Sequence, residues 1–467
     1  MLRFFKINDP FRLIGILVLL LVYSGIYYFI LQAPMIQPEL IWMLAGERLS
    51  EGLHMYKDIV DDTGPLSVGT YWIIHLIFGR SLFIYKFLAA ILIVFQVIYI
   101  NALFIRYKSF EENTYIPAVV MLVLFHLSFD LLTLSPSLMG GTFLIMALGQ
   151  LFSQTVLQKE GSDSVLLVGM FGGIAVLFHF PLIVFLPFLI VAGITISGFT
   201  FRQFILSLFG YFLPIFLCAL YYFWIDSLPE FVLEYLFATR IVDVYAHVSL
   251  FYILIAFALP LVLAMIGYFV GLLFKMITVN QQKQRQLIFL YLIFALFSIL
   301  LTNRQTPYQF LIILPALTYF ITQIFIYLSN KRALAIFSVL LFVGVPIAGY
   351  SWLILGLQTE QLSTYIVETN SEHEISKGKS IVVLGDDIAY YKHASLATSY
   401  LNHKLSARIL TDFDDYADMA SVYQQFLIEK PELVIDQEGL FANLLVRIPL
   451  LAEIYQEKDT GVYYLKK

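Results

Sequence analysis

Residues 11–31 read FRLIGILVLLLVYSGIYYFIL, an apolar run that decides the class of fold. A helix needs about 20 mostly apolar residues to cross the hydrocarbon core, because lipid offers the backbone no hydrogen-bond partner. Arg3 and Lys6 precede the run as they would precede a secretory signal, but no small-residue cleavage site follows it. The run is therefore predicted to be a retained transmembrane helix.

The rest of the chain continues the same pattern. Of its 467 residues, 60% are hydrophobic and 13% are charged, and the mean hydropathy is +0.83. A soluble domain has about 25% charged residues, so a water-soluble fold is excluded. The length rule predicts roughly eleven spans. They lie at 11–31, 82–105, 115–132, 137–155, 164–179, 181–199, 203–224, 249–274, 287–301, 307–328 and 333–355.

The segment 65–79 is short and polar for a crossing, so we expect it to lie at the membrane interface. With this choice and a cytoplasmic N-terminus, every basic cluster falls in a cytoplasmic loop, as the positive-inside rule requires. The clusters are Arg106/Lys108, Lys159, Arg202, Lys275/Lys283/Arg285 and Lys331/Arg332. An odd number of spans then places the C-terminus on the outer face.

The end of the chain has a different composition, because residues 356–467 carry 10 basic and 17 acidic residues. We predict a transmembrane domain over 1–355, with its first outer loop at 32–80. A tether over 356–379 and an extracytoplasmic α/β domain over 380–467 follow. The strands predicted in that domain are 380–385, 407–411, 432–436 and 462–465, with helical runs between them.

The first outer loop concentrates acidic residues, and its residues 38–66 read PELIWMLAGERLSEGLHMYKDIVDDTGPL. Polar positions over 39–50 recur at helical spacing and predict an interfacial amphipathic helix. Asp58, Asp61 and Asp62 follow in a turn-rich stretch. Neighbouring carboxylates can bind a divalent cation or act as a general base on a hydroxyl. Asp61 and Asp62 can also simply cap a turn.

Two segments carry a resemblance to a known family. Residues 45–81 read AGERLSEGLHMYKDIVDDTGPLSVGTYWIIHLIFGRS, and residues 303–317 read NRQTPYQFLIILPAL. Both segments, and the layout of the whole chain with its C-terminal α/β tail, resemble the GT-C superfamily of membrane glycosyltransferases. The most similar branch contains protein mannosyltransferases and aminoarabinose transferases. The resemblance implies a sugar donor linked to polyprenyl phosphate and a location in a bacterial inner membrane.

The same resemblance implies a catalytic aspartate at a position that Pro38 occupies here. Either Glu39 takes the role of the base, or an aspartate further along the loop does. Asp58 is the first choice among these aspartates, and Asp61 or Asp62 remain open as the base. Asp61 and Asp62 are also the predicted ligands of a divalent cation, which is the one cofactor expected.

The donor phosphate needs a cation, and a guanidinium suits it because it binds two oxygens and never loses its proton. Arg304 is the first choice, Lys57 and Arg240 are second choices, and Tyr308 is expected to orient the same group. The predicted acceptor is a lipid, a glycan or a protein on the outer face, and no nucleic acid is expected.

Two other classes of function compete with the transferase. The first is a catalytically inactive GT-C-like scaffold or accessory subunit of a cell-envelope complex, which the departure at Pro38 supports. The second is a secondary transporter, which usually has ionisable residues near the membrane midplane. Here the charges lie at the ends of spans: Asp130 is expected at the outer surface, and Arg80 is expected to extend to the interface.

Overall fold

The computed structural model describes residues 2–157, 162–238, 245–273, 277–302 and 304–466. Within these ranges nine helices are long and apolar enough to cross a membrane. They are Arg12–Ile30, Leu82–Arg106, Pro136–Thr155, Phe180–Ser197, Phe201–Trp224, Leu250–Leu273, Val279–Leu300, Pro307–Tyr327 and Lys331–Gln358. Shorter apolar helices, Ile116–Phe125 and Ser162–Phe178, lie where two further spans are predicted. The prediction of a polytopic helical membrane protein is confirmed.

The chain forms two compact units. The first unit contains Met1–Ala33, Phe83–Cys218 and Ala246–Gln361. The second unit contains Pro34–Leu82, Ala219–Tyr245 and Leu362–Lys467, so it combines the first outer loop with the C-terminal α/β residues. The boundaries proposed at 355 and 379 remain a prediction.

In the first unit, several membrane helices change to tighter 3-10 turns. The helix Ile116–Phe125 is followed by a 3-10 turn at Phe129–Leu132, and Pro307–Ile313 is a 3-10 segment that precedes Leu314–Tyr327. Irregular backbone at membrane depth is tolerated where protein buries it, and both 3-10 segments are buried. These breaks lie where the first unit buries its charged side chains.

The C-terminal residues of the second unit form a five-stranded sheet. After the two-residue strands β1 (Tyr245–Ala246) and β2 (Arg304–Gln305), the chain contributes a set of five strands. These are β3 (Ser380–Leu384), β4 (Ser395–Leu396), β5 (Leu433–Asp436), β6 (Tyr455–Asp459) and β7 (Val462–Leu465). Their order is β4-β3-β5-β7-β6, with β3 parallel to β4 and β5, and β7 antiparallel to β5 and β6. The predicted small α/β domain is confirmed.

Helices and short turns complete the second unit. They are Gln37–Ser50, Pro65–Phe78, Leu228–Phe231, Val232–Leu236, Ser371–Ser376, Ile388–His393, His403–Thr411, Tyr416–Glu429, Leu440–Arg447 and Pro449–Ile454. The strand predicted at 407–411 is wrong, because these residues end a helix that Asn402 caps by accepting from the backbone N–H of Leu405. The apolar residues of this short run lie on one face of that helix. A run of five residues is too short to distinguish the hydrophobic period of a helix from that of a strand.

The helix Gln37–Ser50 exists as predicted, but none of its residues is exposed, and its position at the membrane interface stays a prediction. Almost all of its residues are buried, including the first acid, Glu39. The helix Pro65–Phe78 packs against it and exposes Ile73, Leu76 and Ile77, as the interfacial prediction for 65–79 requires. The amphipathic surface therefore belongs to the second of the two helices.

Gly46 fixes the close approach of these two helices. A Cβ atom added at Gly46 would lie 2.6 Å from the carbonyl oxygen of Tyr71. Replacing Gly46 with alanine is expected to lower the free energy of unfolding by about 1–3 kcal/mol, because the backbone must shift. Thermal unfolding in detergent measures the loss. Gly69→Ala on the same helix pair is the control, since nothing lies within 4 Å of its Cβ position.

Candidate active site

Glu39 is completely buried near the start of the helix Gln37–Ser50. Its Oε2 accepts a hydrogen bond of 3.1 Å from the backbone N–H of Ile36. This is one half of a capping box, in which a carboxylate satisfies a backbone donor at the helix start. The predicted base therefore already has a structural task, and its carboxylate is closed to solvent.

Two arginines to which the sequence analysis assigns no site role contact the same helix. Arg48 is buried, with 5% of the residue exposed. Its guanidinium forms ion pairs with Glu51 and Glu429. For Arg80, the expected extension to the membrane interface stays a prediction. Arg80 forms an ion pair with Glu47 and donates to the carbonyl oxygen of Tyr391 at 2.9 Å. Both guanidinium groups thereby join the outer loop to the C-terminal residues of the second unit.

Asp58 and Lys57 lie in a tight turn after this helix. Asp58 is half-buried, and its Oδ2 accepts a 2.8 Å hydrogen bond from the backbone N–H of His54. Lys57 is exposed, and its Nζ donates to the carbonyl oxygen of Ile225 at 2.8 Å. Asp58 thus remains partly open to solvent, in contrast to Glu39.

Asp61 is buried at a junction of three segments of the second unit. Its Oδ1 accepts from the backbone N–H of Thr63 at 2.9 Å, the turn-capping geometry considered above, and its Oδ2 accepts from Asn402 at 3.2 Å. Its own backbone N–H donates to Glu234, which is 5% exposed. Burial raises the pKa of Glu234 to about 9, although the positive charge of Arg408 opposes the rise. Glu234 is therefore a carboxylic acid that retains its proton at neutral pH.

The raised pKa of Glu234 gives a prediction for stability. A carboxyl group whose pKa is higher in the folded state stabilises the fold fully below its unfolded value of 4.5, and this contribution is lost as the pH rises through about 9. Glu234→Gln resembles the protonated form, so we expect it to raise the free energy of unfolding near pH 8 by about 1–3 kcal/mol. Thermal unfolding between pH 5 and pH 9 measures this. An unchanged pH dependence, as expected for the exposed control Glu453→Gln, would contradict the assignment.

Arg304 and Tyr308 belong to the first unit. They are 6% and 4% exposed. The backbone N–H of Tyr308 donates to Oδ2 of Asp130 at 2.9 Å, and the hydroxyl of Ser128 donates to Oδ1 of the same carboxylate. Asp130 is completely buried, so its carboxylate is closed to solvent, and its expected position at the outer end of a span stays a prediction. The turn Phe129–Leu132 folds the acid inward, which no periodicity in the sequence indicates.

The remaining predicted site residues are Arg240 and the proposed metal ligands Asp61 and Asp62. Arg240 lies outside the described residues. Asp62 is half-buried beside Asp61. In the described part of the chain, the one cluster of three potential metal ligands with suitable spacing is Asp412, Asp415 and Asp418, which lies at the surface. Asp61 and Asp62 are therefore not part of a preformed three-ligand cluster among these residues.

The structure of the chain is similar to structures that have been solved for other proteins. No protein-family model and no curated protein matches its sequence. Its structure is similar to that of ArnT from Cupriavidus metallidurans bound to undecaprenyl phosphate, with 9% identity, 97% of this chain and 96% of that chain covered, and a TM-score of 0.55. It is also similar to the oligosaccharyltransferase AglB from Archaeoglobus fulgidus in complex with an inhibitory peptide and a dolichol-phosphate. That match has 11% identity, 98% and 75% coverage, and a TM-score of 0.50.

Both proteins are members of the GT-C superfamily. The chain has the GT-C fold. This confirms the resemblance of the sequence at the level of fold, over nearly the full length of the chain. In this GT-C fold the predicted loop residues Glu39, Asp58 and Asp61 lie in the second unit, and Arg304 lies in the first.

Proposed function

We propose that the protein is a membrane glycosyltransferase that moves one sugar from a polyprenyl-phosphate carrier to an acceptor on the outer face of the membrane. The observation that carries this proposal is the GT-C fold, which matches a protein solved with undecaprenyl phosphate over 97% of the present chain. The second match was solved with a dolichol-phosphate and a peptide. A polyprenyl phosphate is therefore the proposed carrier class for this chain as well.

The donor phosphate is assigned to Arg304 and Tyr308. Arg304 is buried in the first unit directly before the 3-10 segment that carries Tyr308. A buried guanidinium is stabilised by an anionic partner, and a phosphate can accept from two of its N–H groups. The polyprenyl chain of such a donor would remain in the surrounding lipid.

The acceptor proton is assigned to a carboxylate of the second unit. In the reaction, an acceptor hydroxyl or amine attacks the anomeric carbon, and the bond to the phosphate oxygen breaks with its electron pair on the leaving phosphate. The acceptor's proton passes to a carboxylate, which acts as the general base. Asp58 is the favoured base because it is half-buried and reachable, whereas Glu39 is fully buried and caps its own helix.

The outer-face location and the cation belong to the same proposal. The positions of the basic clusters support a cytoplasmic N-terminus and an extracytoplasmic C-terminal domain. The proposed membrane is a bacterial inner membrane. A divalent cation near Asp61 and Asp62 would offset the negative charge of the phosphate. The proposed acceptor is a lipid, a glycan or a protein.

The experiment that tests the function is a transfer assay. The purified full-length protein is incubated in lipid vesicles with labelled polyprenyl-phosphate sugars and an extract of envelope acceptors, with and without EDTA. Appearance of the label on an acceptor supports the transferase. If no donor tested is consumed while the protein remains folded, the transferase proposal is contradicted and the inactive scaffold replaces it.

Donor binding provides a second test of the proposal. Arg304→Ala is expected to weaken donor binding about tenfold to a hundredfold, since a hydrogen bond to a charged group contributes about 1.5–3 kcal/mol. Binding of a labelled polyprenyl phosphate to vesicles containing the protein measures the change. Arg202→Ala, an exposed arginine of the first unit, is the control. Equal binding by both variants would remove Arg304 from the site.

A further inference from the structure

Tyr56, two residues before Asp58, has an unusual backbone conformation. Its φ angle is +68°, in the left-handed region that bulky residues rarely adopt. The conformation closes a tight turn, in which the backbone N–H of Tyr56 donates to the carbonyl oxygen of Ile59 at 3.0 Å. Such conformations persist only where the surrounding structure compensates for them, and they concentrate at functional sites.

The packing of the Tyr56 side chain, which is 1% exposed, compensates for this left-handed backbone conformation. Its ring lies between three aromatic rings, with centroid distances of 5.2 Å to Tyr222, 5.5 Å to Phe231 and 5.9 Å to Tyr235. We call these three residues the aromatic cage. The hydroxyl of Tyr56 also donates to the carbonyl oxygen of Thr63 at 2.6 Å, which ties the two ends of the acidic stretch together.

The turn that Tyr56 closes fixes the direction of the next two side chains. Asp58 accepts from the backbone N–H of His54, and its own N–H donates back to the carbonyl oxygen of His54 at 2.9 Å. Lys57 points to the carbonyl oxygen of Ile225, close in sequence to the aromatic cage. Asp58 therefore lies in the same tight turn as Tyr56, the left-handed residue whose ring is buried in the aromatic cage.

We propose that Tyr56 is the positioning residue for Asp58, holding the proposed base at its working place through a left-handed turn anchored in the aromatic cage. The expected effect of Tyr56 on turnover rests on the proposed function. Its effect on the structure of the turn is independent of any activity. Tyr56 itself needs no contact with the substrate.

The test compares five variants of the full-length protein in lipid vesicles. Tyr56→Leu removes the aromatic ring, and Tyr56→Phe removes only the hydroxyl. Tyr455→Leu is the matched control, because Tyr455 is 2% exposed and donates to the carbonyl oxygen of Pro431 at 3.0 Å, outside the loop. Tyr56→Gly and Tyr56→Ala differ in backbone preference, since only glycine adopts the left-handed region without cost.

Turnover and amide hydrogen exchange are measured for each variant. Tyr56→Leu is expected to lower kcat about tenfold or more at an unchanged donor KM, because a small displacement of a catalytic group is enough to slow transfer. Its amides over 56–63 are expected to exchange about tenfold faster or more. Tyr56→Phe retains most of kcat, and Tyr56→Gly retains more than Tyr56→Ala.

Two outcomes overturn the inference. The first is wild-type exchange over 56–63 in Tyr56→Leu, and the second is equal kcat in Tyr56→Leu and Tyr455→Leu. If the wild type transfers no sugar, the proposed function fails, and the exchange result alone then decides whether Tyr56 holds the turn.

Discussion

Replacing Arg48 with methionine is expected to lower the free energy of unfolding by about 3–5 kcal/mol, the usual loss when one partner of a buried ion pair is removed. The guanidinium is buried and forms ion pairs with Glu51 at 2.7 Å and with Glu429, whose side chain is 17% exposed. Methionine has a similar length, so packing changes little. The loss arises because the carboxylate of Glu429 is left without its cation in a poorly solvated place. Thermal unfolding in detergent measures it.

Two controls separate this effect from the loss of any surface charge. Lys6→Met removes the cation of an exposed ion pair with Glu112, whose side chain is 51% exposed, and is expected to cost less than about 1 kcal/mol. The double variant Arg48→Met/Glu429→Gln removes the stranded charge and is expected to recover part of the loss, about 0.5–3 kcal/mol. Equal losses for Arg48→Met and Lys6→Met would show that the buried pair contributes little.

Much of the fold could be predicted from the sequence because membrane spans are a local property. A run such as residues 11–31 has the length and the apolar character of a crossing, and nothing distant needs to be known. The same holds for the exposed apolar face of Pro65–Phe78. The helix at 407–411 was predicted as a strand because a run of five apolar-rich residues fits both the helical period and the strand period.

The candidate site depended on contacts between residues far apart in the chain. Arg48 lies 381 positions before Glu429, and Asp61 lies 341 positions before Asn402, so no window of sequence contains both partners. Glu234 has an ordinary sequence context, and its pKa is raised first by burial and then by the negative charges of Asp61 and Glu230. A local pattern identified the loop that carries the acids, but it could not identify which acids are buried.

The exchange of Asp58 for asparagine is expected to lower kcat about 10²–10⁴-fold, the usual contribution of a general base. Asparagine keeps the size of the side chain and can still accept from the backbone N–H of His54, so the turn is retained. The donor KM should stay unchanged, because the proton transfer stabilises the transition state and not the bound donor. Steady-state transfer from a labelled polyprenyl-phosphate sugar measures both constants. Asp226→Asn, an exposed acid of the same unit, is the control.

The parallel variant Glu39→Gln decides between the two proposed bases. Glutamine can accept the hydrogen bond from the backbone N–H of Ile36 as glutamate does, so the cap at the helix start remains and only the charge is lost. With Asp58 as the base, Glu39→Gln retains most of kcat while Asp58→Asn loses it. The reverse result assigns the base to Glu39, next to the proline that occupies the expected aspartate position. Full kcat in both variants would exclude both residues as the base. Asp62, the half-buried acid of the same loop, would then be the next candidate for the base.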